Sequence, residues 1–306
     1  MESATPAGGD KARPAGGLFR AAVIAIPFLW LIALFLVPFL TVFRISLSET
    51  ALAQPPYLPV FTLENWEAFT AALSELSFET YRWLAGDPLY RNAYLSSLRI
   101  AAISTVFALL IGYPLAYAMA KAPQGWKPIL LMLVILPFWT SFLIRVYAWI
   151  GILRGEGYLN QFLALFGLPA TSFLNTDTGI VIGIVYSYLP FMILPIYASL
   201  DRMDHRLIEA ASDLGCPPTK AFWKITLPIS MPGVIAGSFL VFIPAVGEFV
   251  IPDLLGGSQT LMIGKVLWEE FFANRDWPVA SAVAIILLIL LVVPMVIFQR
   301  YQDARR

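Results

Sequence analysis

Long uncharged stretches, separated by short segments that carry the charges, organise this sequence. Arg20 and Arg44 bracket 23 uncharged residues, and Asp276 and Arg300 bracket another 23. A helix needs about 20 apolar residues, each rising about 1.5 Å, to cross a hydrocarbon core of about 30 Å. The pattern predicts an all-α membrane protein with six transmembrane helices, over residues 21–43, 93–120, 128–152, 178–200, 232–252 and 277–299.

The composition agrees with a membrane protein and excludes several other classes. Hydrophobic residues make up 59% of the 306 residues and charged residues only 13%, whereas a soluble domain carries about 25% charged residues. Twenty basic residues balance twenty acidic ones, so the charge gives no reason to expect a nucleic-acid partner. The lone Cys216 and His205 cannot supply the usual ligands of a zinc site. There is no phosphate-binding loop and no hydrolase motif, so we expect no metal, no cofactor and no catalytic residue on this chain.

The distribution of lysine and arginine predicts the orientation in the membrane. With the N-terminus inside, the inner segments hold twelve basic residues and the outer segments seven. Inner loops are enriched in basic residues, so both termini should lie in the cytoplasm. The outer segments also hold twelve acidic residues, and their net negative charge would attract cations or a basic partner. The positive-inside rule alone, which depletes the outer segments of basic residues, would leave the same excess of acidic residues there.

The segments between the predicted spans define the domain organisation. Residues 1–19 are rich in Gly, Ala and Pro and are expected to be a disordered cytoplasmic tail, and residues 301–306 form a second tail. The transmembrane domain covers residues 20–300. It includes a long outer loop at 45–92, with enough apolar residues for one or two short surface helices, and an inner loop at 201–231.

The inner loop contains the pattern of a short helix with an apolar stripe. Asp204 suits the N-cap, and Gly215 suits the position just after the helix ends. Between them Leu207, Ala211 and Leu214 fall on one face. So short a helix is not stable alone. The stripe therefore packs in a groove of another protein, against its own bundle or in the lipid interface.

The same loop carries a motif of specific residues. Glu209-Ala210-Ala211, then Gly215, then Ile225 and Leu227-Pro228 form the pattern EAA-x3-G-x9-I-x-LP. This pattern resembles the cytoplasmic signature loop of permease subunits in bacterial ABC importers. The resemblance implies the six-helix, MetI-like architecture of a type I importer permease.

A closer resemblance covers about residues 20–300. The segments 136–149, 244–252 and 274–280 look like the first permease subunit of putrescine/spermidine importers, and are nearest to the putrescine type. The resemblance implies inward transport of a polyamine across the bacterial inner membrane. Related subunits serve other solutes, so an importer of another small solute remains an alternative. A stand-alone ion-coupled transporter would have no need of the inner loop.

The resemblance also implies partners that composition could not indicate. These are a second, similar permease subunit, two copies of a cytoplasmic ATPase that binds ATP and Mg, and a periplasmic solute-binding protein, assembled in the lipid bilayer. In such importers the signature helix docks on the ATPase. Carried over to this sequence, the ATPase-coupling residues are Leu207, Glu209, Ala210, Ala211, Leu214 and Gly215.

Two charges lie inside the predicted spans. Arg145 and Glu248 follow the starts of their helices by seventeen and sixteen residues, which places both about 25 Å into the membrane, in its outer third. Buried ionisable groups are costly and are functional candidates by default. Arg145 and Glu248 could form a structural ion pair, Glu248 could face the substrate path, or both could reach towards the outer interface.

Aromatic residues of the third and fourth spans could hold an organic cation by cation–π contact. A belt of interfacial aromatic residues would have the same composition. With the acidic residue that opens the last outer loop, the candidates for the substrate path are Glu248, Trp139, Tyr147, Trp149, Tyr186, Tyr188 and Asp253.

Overall fold

The computed structural model describes residues 17–60, 70, 74–204, 206–257 and 260–303. Most of the predicted N-terminal tail, the end of the C-terminal tail and His205 lie outside these residues. The chain is almost entirely helical, as predicted. Its first crossing is formed by α1 (Gly17–Leu31), a π-helical turn at Ile32–Leu36 and α2 (Val37–Ser46).

The loop after α2 contains a small hairpin and a short helix. Strand β1 (Glu49–Thr50) pairs antiparallel with β2 (Tyr57–Leu58). Helix α3 (Glu79–Gly86) follows and ends next to Asp87, whose carboxylate accepts the Leu89 N–H at 2.8 Å. This cap begins the second crossing, so the outer loop is several residues shorter than the predicted 45–92.

The second and fourth crossings are long helices, α4 (Pro88–Lys121) and α8 (Asp177–Asp201). The third is broken, and the prediction of a continuous helix over 128–152 is wrong. Helix α5 (Lys127–Ile135) runs into a 3-10 turn at Leu136–Trp139, and the chain then bends by 89°. Beyond the bend lie α6 (Phe142–Leu153) and α7 (Tyr158–Ala164).

After α8 the chain forms a short helix outside the bundle, α9 (Arg206–Asp213). The fifth crossing then begins earlier than predicted, at α10 (Pro218–Ala221). It continues through a π-helical turn at Phe222–Thr226 into α11 (Leu227–Val246). The connection between the fourth and fifth crossings is therefore shorter than the predicted 201–231.

The fifth crossing also ends earlier than predicted, at Val246 rather than residue 252. The segment beyond it contains α12 (Val250–Leu255) and α13 (Ile263–Trp268), and α13 continues into a π-helical turn at Glu269–Ala273. Helix α14 (Trp277–Asp303) is the last crossing. In the part of the chain that the structure describes, five helices are long and apolar enough to span a membrane, and there are six crossings if the bent pair counts as one span.

Helix α8 is the centre of the bundle and packs between α4 and α11. Small residues allow this close approach. A Cβ added at Gly233 of α11 would lie 2.5 Å from the Pro195 carbonyl oxygen of α8, and one added at Gly237 would lie 3.0 Å from the Met192 carbonyl oxygen. Larger residues at these positions would push the two helices apart. Small residues at helix contacts are common in membrane bundles.

Candidate functional site

Glu248 lies in the turn between α11 and α12, not inside a straight helix as predicted. Its side chain is 7% exposed. One carboxylate oxygen accepts the N–H groups of Val250 and Ile251, at 3.1 and 3.4 Å. The other accepts the hydroxyl of Tyr188, which projects from α8. The carboxylate thus sits on the positive, N-terminal end of α12, where a negative charge is stabilised.

Arg145 lies on α6, beyond the bend. Its guanidinium carbon is 5.1 Å from the ring centre of Phe138 and 5.8 Å from that of Phe142. Its Nε is buried and has no hydrogen-bond partner among the described residues. Arg145 and Glu248 are both described, and no N–O distance between them falls within 4.0 Å. The predicted ion pair is therefore wrong, because backbone amides and Tyr188 bind the carboxylate and aromatic rings hold the guanidinium.

The two charged side chains nevertheless face the same cavity. It has a volume of about 460 Å³ and lies where α6, α8 and the α11–α12 turn meet. The lining residues are Phe138, Phe142, Arg145, Ser187, Tyr188, Phe191, Pro244, Gly247, Glu248, Phe249 and Val250. Phe138 and Phe191 meet edge to face across it, with ring centres 5.2 Å apart. The cavity combines one anchored carboxylate and one guanidinium with aromatic walls. The carboxylate and the rings are groups that attract an organic cation.

Of the predicted substrate-path residues, Glu248 and Tyr188 line this cavity and the others do not. Trp139 and Tyr147 lie on the surface of the protein and are 70% and 59% exposed. Tyr186 packs edge to face against Trp149, with ring centres 5.1 Å apart. Asp253 pairs instead with Lys265, at 3.4 Å.

Sequence reasoning missed the phenylalanines of the cavity. Phe138 and Phe142 are four residues apart, and Phe191 is three residues from Tyr188, spacings that share a face on a continuous helix. The three-residue spacing from Tyr188 could have indicated Phe191. Phe138 and Phe142 lie on either side of the bend, so the spacing rule for a continuous helix does not apply to them.

A second, apolar cavity adjoins the first and shares Tyr188, Phe191 and Pro244 with it. It has a volume of about 740 Å³. It runs along α11 past Phe239 to Pro232, with Gln299 of α14 on its other side. The two cavities form one groove along an open face of the bundle.

The helix α9 has the caps that the sequence predicted. Asp204 accepts the Arg206 N–H at 3.0 Å. At the other end the Gly215 N–H reaches the Ser212 carbonyl and the Cys216 N–H reaches the Ala211 carbonyl, both at 2.9 Å. Gly215 has a φ of +76°. This double closure is the Schellman motif, which requires the left-handed conformation that glycine adopts without strain.

The apolar stripe of α9 does not pack on the bundle. No residue of the helix is buried, and Leu207 and Leu214 are 47% and 87% exposed. Glu209 and Ala210 are also exposed, and Ala211 is half-buried. Packing of the leucines against the chain's own bundle is therefore excluded, while a partner protein or the lipid interface could still cover them.

Comparison with known sequences gives one family for nearly the whole chain. Residues 18–306 match the family model described as "Binding-protein-dependent transport system inner membrane component". The spermidine/putrescine transport system permease protein PotB of Haemophilus influenzae is 40% identical over 285 residues, which are 92% of this chain and 93% of that protein. Its namesake in Escherichia coli is 43% identical over 216 residues, 70% of this chain and 78% of that protein.

Solved structures agree on the fold at low sequence identity. A chain of a bacterial ABC transporter that imports alginate matches with a TM-score of 0.68 at 16% identity, over 94% of this chain and 96% of that one. A chain of the MetNI methionine ABC transporter matches with a TM-score of 0.52 at 17% identity, over 72% and 96%. These matches confirm the predicted fold class. The chain therefore belongs to the family of binding-protein-dependent transport system inner membrane components, as a membrane permease of the ABC-importer class and not an enzyme.

Proposed function

We propose that this chain is a pore subunit of an ATP-driven importer that carries a polyamine, putrescine above all, from the periplasm to the cytoplasm. The observation that carries the proposal is the cavity in which Glu248 faces aromatic walls. The names of the relatives, which are spermidine/putrescine permeases at 40% and 43% identity, point to the same class of solute.

The chemistry of the cavity suits an organic ammonium group. Three donors fix the Glu248 carboxylate, so it is held in place as an acceptor before the solute arrives. Phe138, Phe142 and Phe191 present ring faces and edges, and a cation near a ring face is attracted by about 0.5–2 kcal/mol. The site would therefore favour amines over neutral or anionic solutes.

The adjoining apolar cavity suits the rest of such a solute. A polyamine is a hydrocarbon chain between ammonium groups, and the groove past Phe239 and Ile243 offers a hydrocarbon wall. The groove is open along one face of the bundle, so it needs a second subunit to close it. We therefore place the pore between this chain and a second permease of similar fold.

Energy would reach the pore through α9. Its exposed leucines, its exposed Glu209 and its fixed end at Gly215 form an unoccupied docking face. We assign this face to one of two cytoplasmic ATPase subunits, which hold the ATP and Mg. The assignment puts α9 and both termini in the cytoplasm, and it puts α3 and α12 on the side of a periplasmic solute-binding protein.

Uptake by the assembled transporter tests the proposal. The chain would be purified with its second permease and ATPase, placed in proteoliposomes, and supplied with the binding protein and labelled putrescine. We expect ATP-dependent uptake that unlabelled spermidine inhibits and a neutral sugar does not. Glu248→Gln should lower uptake about tenfold or more, because it removes the one carboxylate of the cavity.

Glu156→Gln is the matched control, because Glu156 is an exposed acid of the outer side that does not line the cavity. It should leave uptake unchanged. If ATP hydrolysis by the intact complex responds to another solute but not to putrescine or spermidine, the polyamine proposal is wrong. Equal uptake by wild type and Glu248→Gln would remove the carboxylate from the path.

A further inference from the structure

The cavity that Glu248 lines contains both a negative and a positive side chain. Among its lining residues, Glu248 and Arg145 are the charged ones. The helix that carries Arg145, α6, packs directly against α12, whose first turn Glu248 caps. The two groups line the same open cavity without forming an ion pair. A cation entering this space meets an attractive group and a repulsive group together.

Both groups have unused hydrogen-bonding capacity. An ionised carboxylate offers about four acceptor positions, and Val250, Ile251 and Tyr188 occupy three of those of Glu248. The buried Nε of Arg145 donates to no described residue. Two aromatic rings hold the guanidinium, and contacts of this kind are weaker than a buried ion pair. The remaining acceptor position can therefore take either a solute ammonium or the guanidinium.

We propose that Arg145 is a built-in competitor of the solute's ammonium group for the Glu248 carboxylate. The inference rests on the proposed function and adds a role for a residue that touches the path. Transport requires binding that is strong enough to admit the solute and weak enough to release it. The positive charge of Arg145 in the same cavity weakens the binding of an ammonium group to Glu248. When the solute leaves, the guanidinium moves to the carboxylate in its place.

The competition makes a prediction that a purely structural role for Arg145 does not. Removing the guanidinium should tighten solute binding and slow turnover at the same time. A misfolded or poorly assembled site would weaken binding instead. The effect should also depend on Glu248, because residues that act on one another are not additive.

The test uses the whole permease–ATPase complex in nanodiscs without the binding protein. Equilibrium binding of labelled putrescine is measured for wild type, Arg145→Gln, Arg145→Lys, Glu248→Gln and the double variant, and transport is measured in proteoliposomes. We expect Arg145→Gln to bind putrescine about tenfold more tightly and to transport it more slowly. Arg145→Lys keeps the charge and should stay near wild type. In the Glu248→Gln background the arginine change should alter binding by less than about twofold.

Arg145→Met, which keeps the apolar stem and removes the charge, repeats the test if the glutamine variant does not assemble. Weaker or unchanged binding in the assembled Arg145→Gln or Arg145→Met complex overturns the proposal. So does an equally large effect in the Glu248→Gln background. A wild-type complex that neither binds nor transports putrescine or spermidine overturns the proposed function, and this is seen before any variant is compared.

Discussion

The end of α9 offers a sharp test, because a substitution at Gly215 changes the backbone strain without creating a steric clash. The residue has a φ of +76°, and a Cβ added to it would meet nothing within 4 Å. A substitution therefore costs only the strain of the left-handed conformation, about 1–2 kcal/mol for an ordinary residue. Asparagine tolerates this conformation better than alanine does.

The consequence should be large, because α9 has little else to hold it. The helix is eight residues long and buries none of them. A change of 1–2 kcal/mol alters the population of an ordered end by a factor of about 5–30. We expect ATP-driven uptake to decrease in the order Gly215, Gly215→Asn, Gly215→Ala, with unchanged amounts of permease in the membrane.

The assay combines uptake in proteoliposomes with co-purification of the ATPase subunit. Gly151→Ala is the matched control, since Gly151 is a helical glycine at which an added Cβ also meets nothing within 4 Å. It should retain full activity. If Gly215→Ala transports as well as wild type while Gly215→Asn does not, strain at the helix end is not the reason for glycine here.

Three further predictions follow from the bundle. Gly233→Ala should lower the free energy of unfolding by about 1–3 kcal/mol, because the new Cβ would lie 2.5 Å from the Pro195 carbonyl oxygen. A melting temperature equal to that of Gly151→Ala would contradict this. Asn160→Ala should lower the melting temperature as well, since the buried side-chain amide joins the backbone of residues 154–155 to that of Thr171 by hydrogen bonds of 2.8–3.1 Å. An unchanged melting temperature would show that the loop does not depend on these bonds. In a variant without the native cysteine, Leu52→Cys should be labelled from outside and Leu214→Cys from the cytosol; the reverse would invert the proposed topology.

Local signals predicted local structure well. The caps of α9 follow from Asp204 and Gly215 because a cap depends on a few neighbouring residues. The apolar stretches predicted the crossings because a membrane requires a minimum apolar length.

The break in the third crossing and the place of Glu248 could not be predicted in the same way. Hydropathy is as high in a bent pair as in a straight helix, so the apolar run does not locate the 89° bend after Trp139. Pro137, just before the bend, is the one local sign of it, since proline interrupts helices. The depths of Arg145 and Glu248 were derived from straight helices. The ion pair followed from those depths, whereas the side chains are held by an aromatic pair and by the first amides of α12.

The first crossing has a mechanical consequence. Its described side chains from Val23 to Pro38 are all exposed, and α2 packs against α14. The part of the helix before Val37 is thus a lever about 30 Å long, with its pivot at the α2–α14 contact. A rotation of about 10° at the pivot would move the far end by about 5 Å. Small adjustments of α14 during a transport cycle would therefore be magnified at the N-terminal end of the first crossing, where a neighbouring subunit or a lipid headgroup could sense them.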